Sequence, residues 1–235
     1  MNERPNLLAD EDLPPEPRQK RSKEKHTRIK EAALACFGEN GYESSSIDEI
    51  AARADLAVGG FYLHFRSKRQ LLLALMDELL EHLSQLNLRP SARGDIRAGL
   101  HDMLSKAFSA DLRYLGAYRA WQEAVLSDRD LIKKNEAIHA WTTARVTAVF
   151  TYLSRLPGAR RGADIPSLAR AMDAFFWTLL AQAVQMSGVE LQERVDASTH
   201  LIYHAIFTDK SSRPSSRTSR AAGPQSPSRG RRPQQ

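Results

Sequence analysis

The stretch Ser44–Arg69, SSSIDEIAARADLAVGGFYLHFRSKR, decides how this chain is read. Ser46-Ile47-Asp48-Glu49 has the S-x-x-E form of a capping box, in which the serine hydroxyl accepts the amide proton three residues on and the glutamate reaches back. Ile47, Ile50, Ala51 and Ala54 follow at helical spacing and mark one buried face. Asp55-Leu56-Ala57 reads as a turn. Asp55 tolerates the left-handed conformation better than most non-glycine residues, and Leu56 is the apolar plug between two crossing helices. A second helix starts near Val58. Phe61 and Phe65, four residues apart, form its buried edge, which leaves Gly59, Gly60, Tyr62, Leu63 and His64 pointing mostly away from the core. Two adjacent glycines cost a helix about 1 kcal/mol each relative to alanine, so a helix that begins with them predicts close backbone approach to another molecule. A phosphate fits, because helix N-termini offer free amides and partial positive charge, and Tyr62 and His64 can donate to its oxygens. Ser67-Lys68 opens a third helix, with Ser67 as its N-cap and Lys68 as a cation beside its first turn.

Residues 27–80 resemble the DNA-binding domain of the TetR/AcrR family of transcriptional regulators. The resemblance is a gapless run: Phe37-Gly38-Glu39-Asn40-Gly41-Tyr42, Ser46-Ile47-Asp48-Glu49-Ile50-Ala51, Gly59-Gly60-Phe61-Tyr62-Leu63-His64-Phe65, then Ser67-Lys68. It implies an all-α fold: an N-terminal three-helix helix-turn-helix DNA-binding domain, followed by a helical ligand-binding and dimerisation domain. It further implies a ligand-responsive repressor that binds a palindromic double-stranded DNA operator as a homodimer, paired through its last two helices, and that answers to a small-molecule effector. Ser46 resembles the capping residue that often touches a phosphate. Val58, Gly59 and Gly60 occupy the groove-facing start of the recognition helix, and Tyr62, His64 and Lys68 occupy the positions that clamp the DNA backbone. The chain departs from the family at Asp55, where glycine is usual, at Ala57, where serine or threonine starts the recognition helix, and at Gly60, where a hydroxyl is common. With those hydroxyls absent, base reading leans on Val58 and Leu63 against thymine methyls and on DNA shape. The Ala57 and Gly60 departures are the support for the alternative, a small-molecule or partner-binding protein of the same fold without DNA function.

Outward from this stretch, residues 1–22 read as a disordered arm, broken by Pro5, Pro14, Pro15 and Pro17 and solvated by acids. The charge then reverses in Arg18, Lys20, Arg21, Lys23, Lys25, Arg28 and Lys30, a basic leader able to lie along DNA. Residues 23–69 form the helix-turn-helix domain and residues 70–208 the second domain. The segment 67–86 is one long amphipathic helix shared by both, a natural lever between a ligand site and the reading head. Beyond it, helices are expected over 93–110, 114–126, 130–154, 165–187 and 190–207, with breaks at Arg89-Pro90-Ser91, Ser127-Asp128, Leu156-Pro157-Gly158 and Ser187-Gly188. Residues 174–184 are apolar nearly all round, which calls for cover on every side; the resemblance makes that cover a second copy. The resemblance also puts a small-molecule pocket in the second domain, for which Phe108, Tyr118, Trp121, Trp141, Arg145 and Phe176 are the candidates, with Arg145 for an anionic or carbonyl group. Ordinary core packing explains aromatic stripes equally well.

The net charge of +6 misleads. The tail 209–235 carries Lys210, Arg213, Arg217, Arg220, Arg229, Arg231 and Arg232 against Asp209, which is the whole of the excess. That tail, rich in Ser, Arg, Pro and Gly, is expected to be disordered. One cysteine, Cys36, excludes an internal disulfide. No apolar run is long enough to span a membrane, and no signal peptide opens the chain, so a cytoplasmic location is expected. No phosphate loop, metal-ligand spacing or nucleophile elbow is present; the reading is therefore of a non-enzyme, with no cofactor and no metal.

Overall fold

The computed structural model describes residues 3–88 and 95–208. The expected break at Arg89-Pro90-Ser91 and the tail 209–235 lie outside the described residues. The elements in chain order are α1 (Lys20–Asn40), α2 (Ile47–Arg53), α3 (Val58–Tyr62), α4 (Lys68–Gln85), α5 (Ile96–Asp111), a 3-10 turn (Leu112–Tyr114), α6 (Leu115–Val125), α7 (Arg129–Leu153), α8 (Ile165–Ala183) and α9 (Gly188–Ile206). The only β feature among the described residues is one antiparallel bridge, Ala159 to Phe207, so the fold is all-α.

The helix starts carry side-chain caps where the sequence supplies them. Ser67 accepts from the Gln70 amide at 3.1 Å. Asp128 accepts from the amides of Asp130 and Leu131, and Ser187 with Glu190 completes a reciprocal capping box. Helix α8 stops at Ala183, short of the expected 187.

Helices α1, α2 and α3 close around Ile29, Ala33, Cys36, Phe37, Ile50, Ala51, Phe61 and Phe65, all buried. Leu71, Leu72, Leu75, Met76, Leu79 and Leu80 bury one side of α4 along most of its length. In the second domain α8 packs on α7 and α6, and α9 packs on α5.

The head is seated on the body through α1 and α6. At their crossing, Gly116 lies so close to α1 that any Cβ there would overlap the Leu34 carbonyl oxygen and crowd the Gly38 amide. One turn on, Arg119 Nη1 donates to the carbonyl oxygens of Gly38 (2.6 Å) and Glu39 (3.2 Å) at the end of α1. Glu123 accepts from the amides of Tyr42 (2.6 Å) and Glu43 (3.4 Å) just beyond it. The cation on the carbonyls matches the polarity of a helix C-terminus, and the carboxylate satisfies the two loop amides just past it. Gly41, with φ at 81°, makes the sharp exit between them.

The N-terminal arm differs from the expectation of disorder. Its prolines do break helix, yet an extended strap needs none. Arg4 pairs with Asp77 (2.9 Å) and Glu81 (2.7 Å) on α4. Leu7 is buried, with its amide on Asp77 and its carbonyl accepting from Lys134 of α7. Glu11 joins Asp128 and Asp130 around Arg69, and the Asp12 carbonyl accepts from Gln70. Glu11 thus meets arginine rather than water, while Glu3, Asp10, Asp12 and Glu16 stay exposed, and the arm ties α4 to α7. The basic segment also differs from a leader: Lys20 through Lys30 lie within α1 itself.

Two outcomes follow from these contacts. Gly116→Ala is expected to destabilise the protein by about 1–3 kcal/mol, the usual cost of overpacking, read as a lowered denaturation midpoint; an unchanged midpoint would show that the crossing has slack. Removing residues 1–12 uncovers the α4 surface under Leu7 and is expected to cost about 2 kcal/mol from that side chain's burial alone, again measured by denaturation.

Candidate functional site

The exposed end of the head is built from α2, the turn and α3. Ser46 caps α2 as expected, accepting from the Glu49 amide at 3.1 Å. The other half of the box does not form: Glu49 accepts instead from the Asn40 side chain at 2.8 Å, because α1 ends beside it. Asp55 takes a left-handed φ of 55°, and the Leu56 amide returns to the Ala51 carbonyl at 2.9 Å, which turns the chain sharply into α3. Phe61 and Phe65 are buried below; Tyr62 (46% exposed) and Leu63 (73%) stand outward. Val58 is half-buried. A Cβ at Gly59 would meet nothing, and one at Gly60 only ordinary contact with Leu56. The fold itself therefore has no use for either glycine.

Two expected outward groups are not outward. His64 is buried at 8% exposure, edge-on to His26 of α1 at 5.5 Å, while His26 stacks on Phe65 at 4.7 Å. The histidines glue α3 to α1. Lys68 turns back under the head: its ammonium donates to the carbonyls of Tyr42 (2.6 Å), Ser45 (2.8 Å) and Glu43 (3.3 Å) and lies 4.4 Å from the centre of the Tyr42 ring. Three protons meet three carbonyls, so in this state Lys68 holds the α1–α2 turn. Burial keeps its ammonium below the ordinary lysine range.

Beside α3 lies the start of α1. Its first turn holds no acid, and the Gln19 side chain does not cap it. Lys20, Arg21, Lys23, Lys25 and Arg28 line one open surface there, with Arg28 paired to Asp55. Cations at a helix N-terminus oppose the macrodipole, so this end gains from an external anion.

The second domain encloses a cavity of about 140 Å³. Of the expected residues, Phe108, Tyr118, Trp141, Arg145 and Phe176 border it. Trp121 does not: its indole N–H donates to Asn135 at 2.9 Å, and the ring borders an open groove on the other side of α6. Positions three apart lie about 60° round the axis from one another, and Trp177 borders both the cavity and the groove, so that small offset is enough to place Trp121 in the groove instead. Sequence reading missed Trp177 and Asp173, which also border the cavity; an aspartate inside the apolar run of α8 was the available signal. Asp173 is buried and pairs with His139 at 2.7 Å. Arg145 reaches across to the end of α4, donating from Nη2 to the carbonyls of Leu83 (2.8 Å) and Leu86 (3.2 Å).

The fold and the exposed α2–α3 unit define a two-domain helical protein with a helix-turn-helix head. Residues 29–75 match the family described as "Bacterial regulatory proteins, tetR family", so the head is similar to the DNA-binding domain of that family. It is 35% identical over 74 residues to the HTH-type transcriptional repressor KstR of Rhodococcus jostii (strain RHA1), a match covering 32% of this chain and 35% of KstR. The chain spans less than half the length of the first curated relatives it matches. The likeness of fold runs further. A TetR family regulator from Pseudomonas syringae pv. tomato str. DC3000 aligns over 79% of this chain and 98% of its own, at 22% identity and a TM-score of 0.54. The SmeT–triclosan complex aligns over 79% of this chain and 93% of its own, at 23% identity and a TM-score of 0.57.

The histidine pair makes the head acid-sensitive. Burial first, then the charges of Lys30 and His64, against the opposite pull of Glu78, lowers His26 from its ordinary 6.5 to about 4. The unfolded chain therefore binds this proton more readily than the folded one, so stability is complete above pH 6.5 and falls as the pH drops towards 4. Thermal melts across that window are expected to show the fall, and His26→Asn to flatten it; an equal fall in the variant would assign the acid sensitivity elsewhere.

Proposed function

We propose that this chain is a DNA-binding transcriptional regulator that responds to a small ligand, acting as a homodimer on a palindromic operator and most simply as a repressor. The carrying observation is α3: an exposed helix whose opening glycines serve no packing need, in a head that also presents a cationic surface at the start of α1. Such a helix can bring its backbone against a DNA strand, with Val58 and Leu63 towards base edges in the major groove. Phosphates would be held by the Tyr62 hydroxyl, the free amides at the start of α3, and Lys20, Arg21, Lys23 and Lys25. Ser46, Lys68 and His64 act mainly from behind, fixing α2 and α3 in place.

Pairing of two copies fits the outward faces of α8 and α9, where Phe175, Val189 and Leu201 are exposed. A two-fold pair would present two reading helices to successive major grooves. The cavity is the effector site in this reading. Helix α4 starts beneath the reading head, and Leu83 near its end borders the cavity, so a ligand that binds two positions of α4 unequally alters DNA affinity. Repression accords with the relative KstR, a transcriptional repressor, and an effector in the second domain accords with the triclosan complex of SmeT.

The test begins with selection of bound fragments from genomic DNA. On the recovered operator, Tyr62→Phe is expected to weaken binding about tenfold, the scale of one hydrogen bond to a charged group. Lys23→Gln with Lys25→Gln is expected to lower the slope of log K against log salt by about 0.9 for each phosphate that the protein no longer neutralises. A folded protein that retains no fragment would favour the alternative, a ligand-binding protein of this fold without DNA function.

A further inference from the structure

We infer that the cavity takes a small organic anion, a carboxylate on an aromatic or short alkyl body, read by Arg145. The inference rests on the cavity being the effector site and adds the chemical class of the effector.

The cavity wall is apolar and aromatic: Leu104, Phe108, Tyr118, Trp141, Phe176 and Trp177 supply much of it. Two charged side chains interrupt it, Asp173 and Arg145, and they differ in one respect. Asp173 already has a partner, His139, at 2.7 Å. Arg145 has no carboxylate partner among the described residues. Its guanidinium is half-buried, lies 5.0 Å from the centre of the Trp141 ring, and makes its hydrogen bonds from Nη2 alone, to the carbonyls of Leu83 and Leu86. Neutral carbonyls satisfy hydrogen bonds but leave the half-buried charge without a counter-charge among the described residues, which costs more in an apolar wall than in water. A negative charge brought beside it would offset that cost, and burial accordingly acts to weaken the Arg145 proton affinity.

Geometry and size narrow the class. A guanidinium presents five N–H donors in a planar fork, and among the described residues only Nη2 is engaged, so a carboxylate at Arg145 would take Nε and Nη1 while Nη2 keeps its hold on α4. Such charge-assisted contacts are about twice as strong as neutral ones. A cavity of about 140 Å³ compares with an engineered apolar cavity of about 150 Å³ that holds benzene. The body of the ligand is thus on the order of six to eight carbon atoms, with the head at Arg145. One arginine then touches both the ligand and the last turn of α4, the helix that leads to the reading head.

The experiment titrates the full chain by tryptophan fluorescence and calorimetry with phenylacetate and hexanoate, their uncharged amides, and phenethylamine. Each carboxylate is expected to bind about tenfold tighter than its amide. Arg145→Gln is expected to remove that preference while still binding the amides, which also reports that the variant is folded; Arg145→Lys is expected to restore part of it. Equal binding of carboxylate and amide, or a preference that survives in Arg145→Gln, overturns the assignment and leaves the cavity reading intact. Preference for the amine overturns it in favour of Asp173. Failure of every compound to bind the folded protein overturns the cavity reading and this inference together.

Discussion

The molecule depends on the crossing of α1 and α6. Gly116 lets two helix backbones approach until a carbonyl oxygen of one fills the space a side chain would need. Arg119 and Glu123, on the same face of α6, then bind opposite polarities at the end of α1. Close packing and charge-assisted hydrogen bonds to the backbone act at one place. The head is consequently seated as a rigid piece, and the direction in which α3 points is set by the body.

Helix α6 faces two ways. Gly116, Arg119 and Glu123 grip the head, while Tyr118 borders the cavity. Helix α4 provides a second connection, capped by Ser67 beneath the head and held at its other end by Arg145. The N-terminal arm runs along α4 and ties it to α7 through Asp77, Lys134 and the acids around Arg69. The cavity wall thus includes parts of both connections, and packed elements of this kind shift between discrete arrangements rather than bending continuously.

Charge is distributed by role. Lys68 and Arg119 are used on backbone carbonyls, and Arg69 and Arg4 on carboxylates. A further group of cations lines an open surface at the start of α1. Net charge says little about this, since residues 1–208 sum to zero; position says much more.

The sequence by itself determined what local chemistry controls. Ser46, Asp55 and Ser67 mark helix and turn boundaries through bonds made within a few residues. The spacing of Phe61 and Phe65, and the leucines of α4, mark buried faces through helical periodicity alone. The all-helical fold followed, and so did five of the residues that border the cavity. Only the tertiary structure decided where long side chains end. Lys68 and His64 looked outward because nothing adjacent in sequence needs them; the carbonyls of the α1–α2 turn and the ring of His26 do. The acidic, proline-rich arm looked solvated because its partners, Arg69 and Lys134, lie far along the chain. Trp121 shares a helix with Tyr118 but faces another way, and Arg145 proved to hold α4 as well as to border the cavity. Periodicity specifies which face of a helix is buried, but the partner that buries it comes from a distant part of the chain.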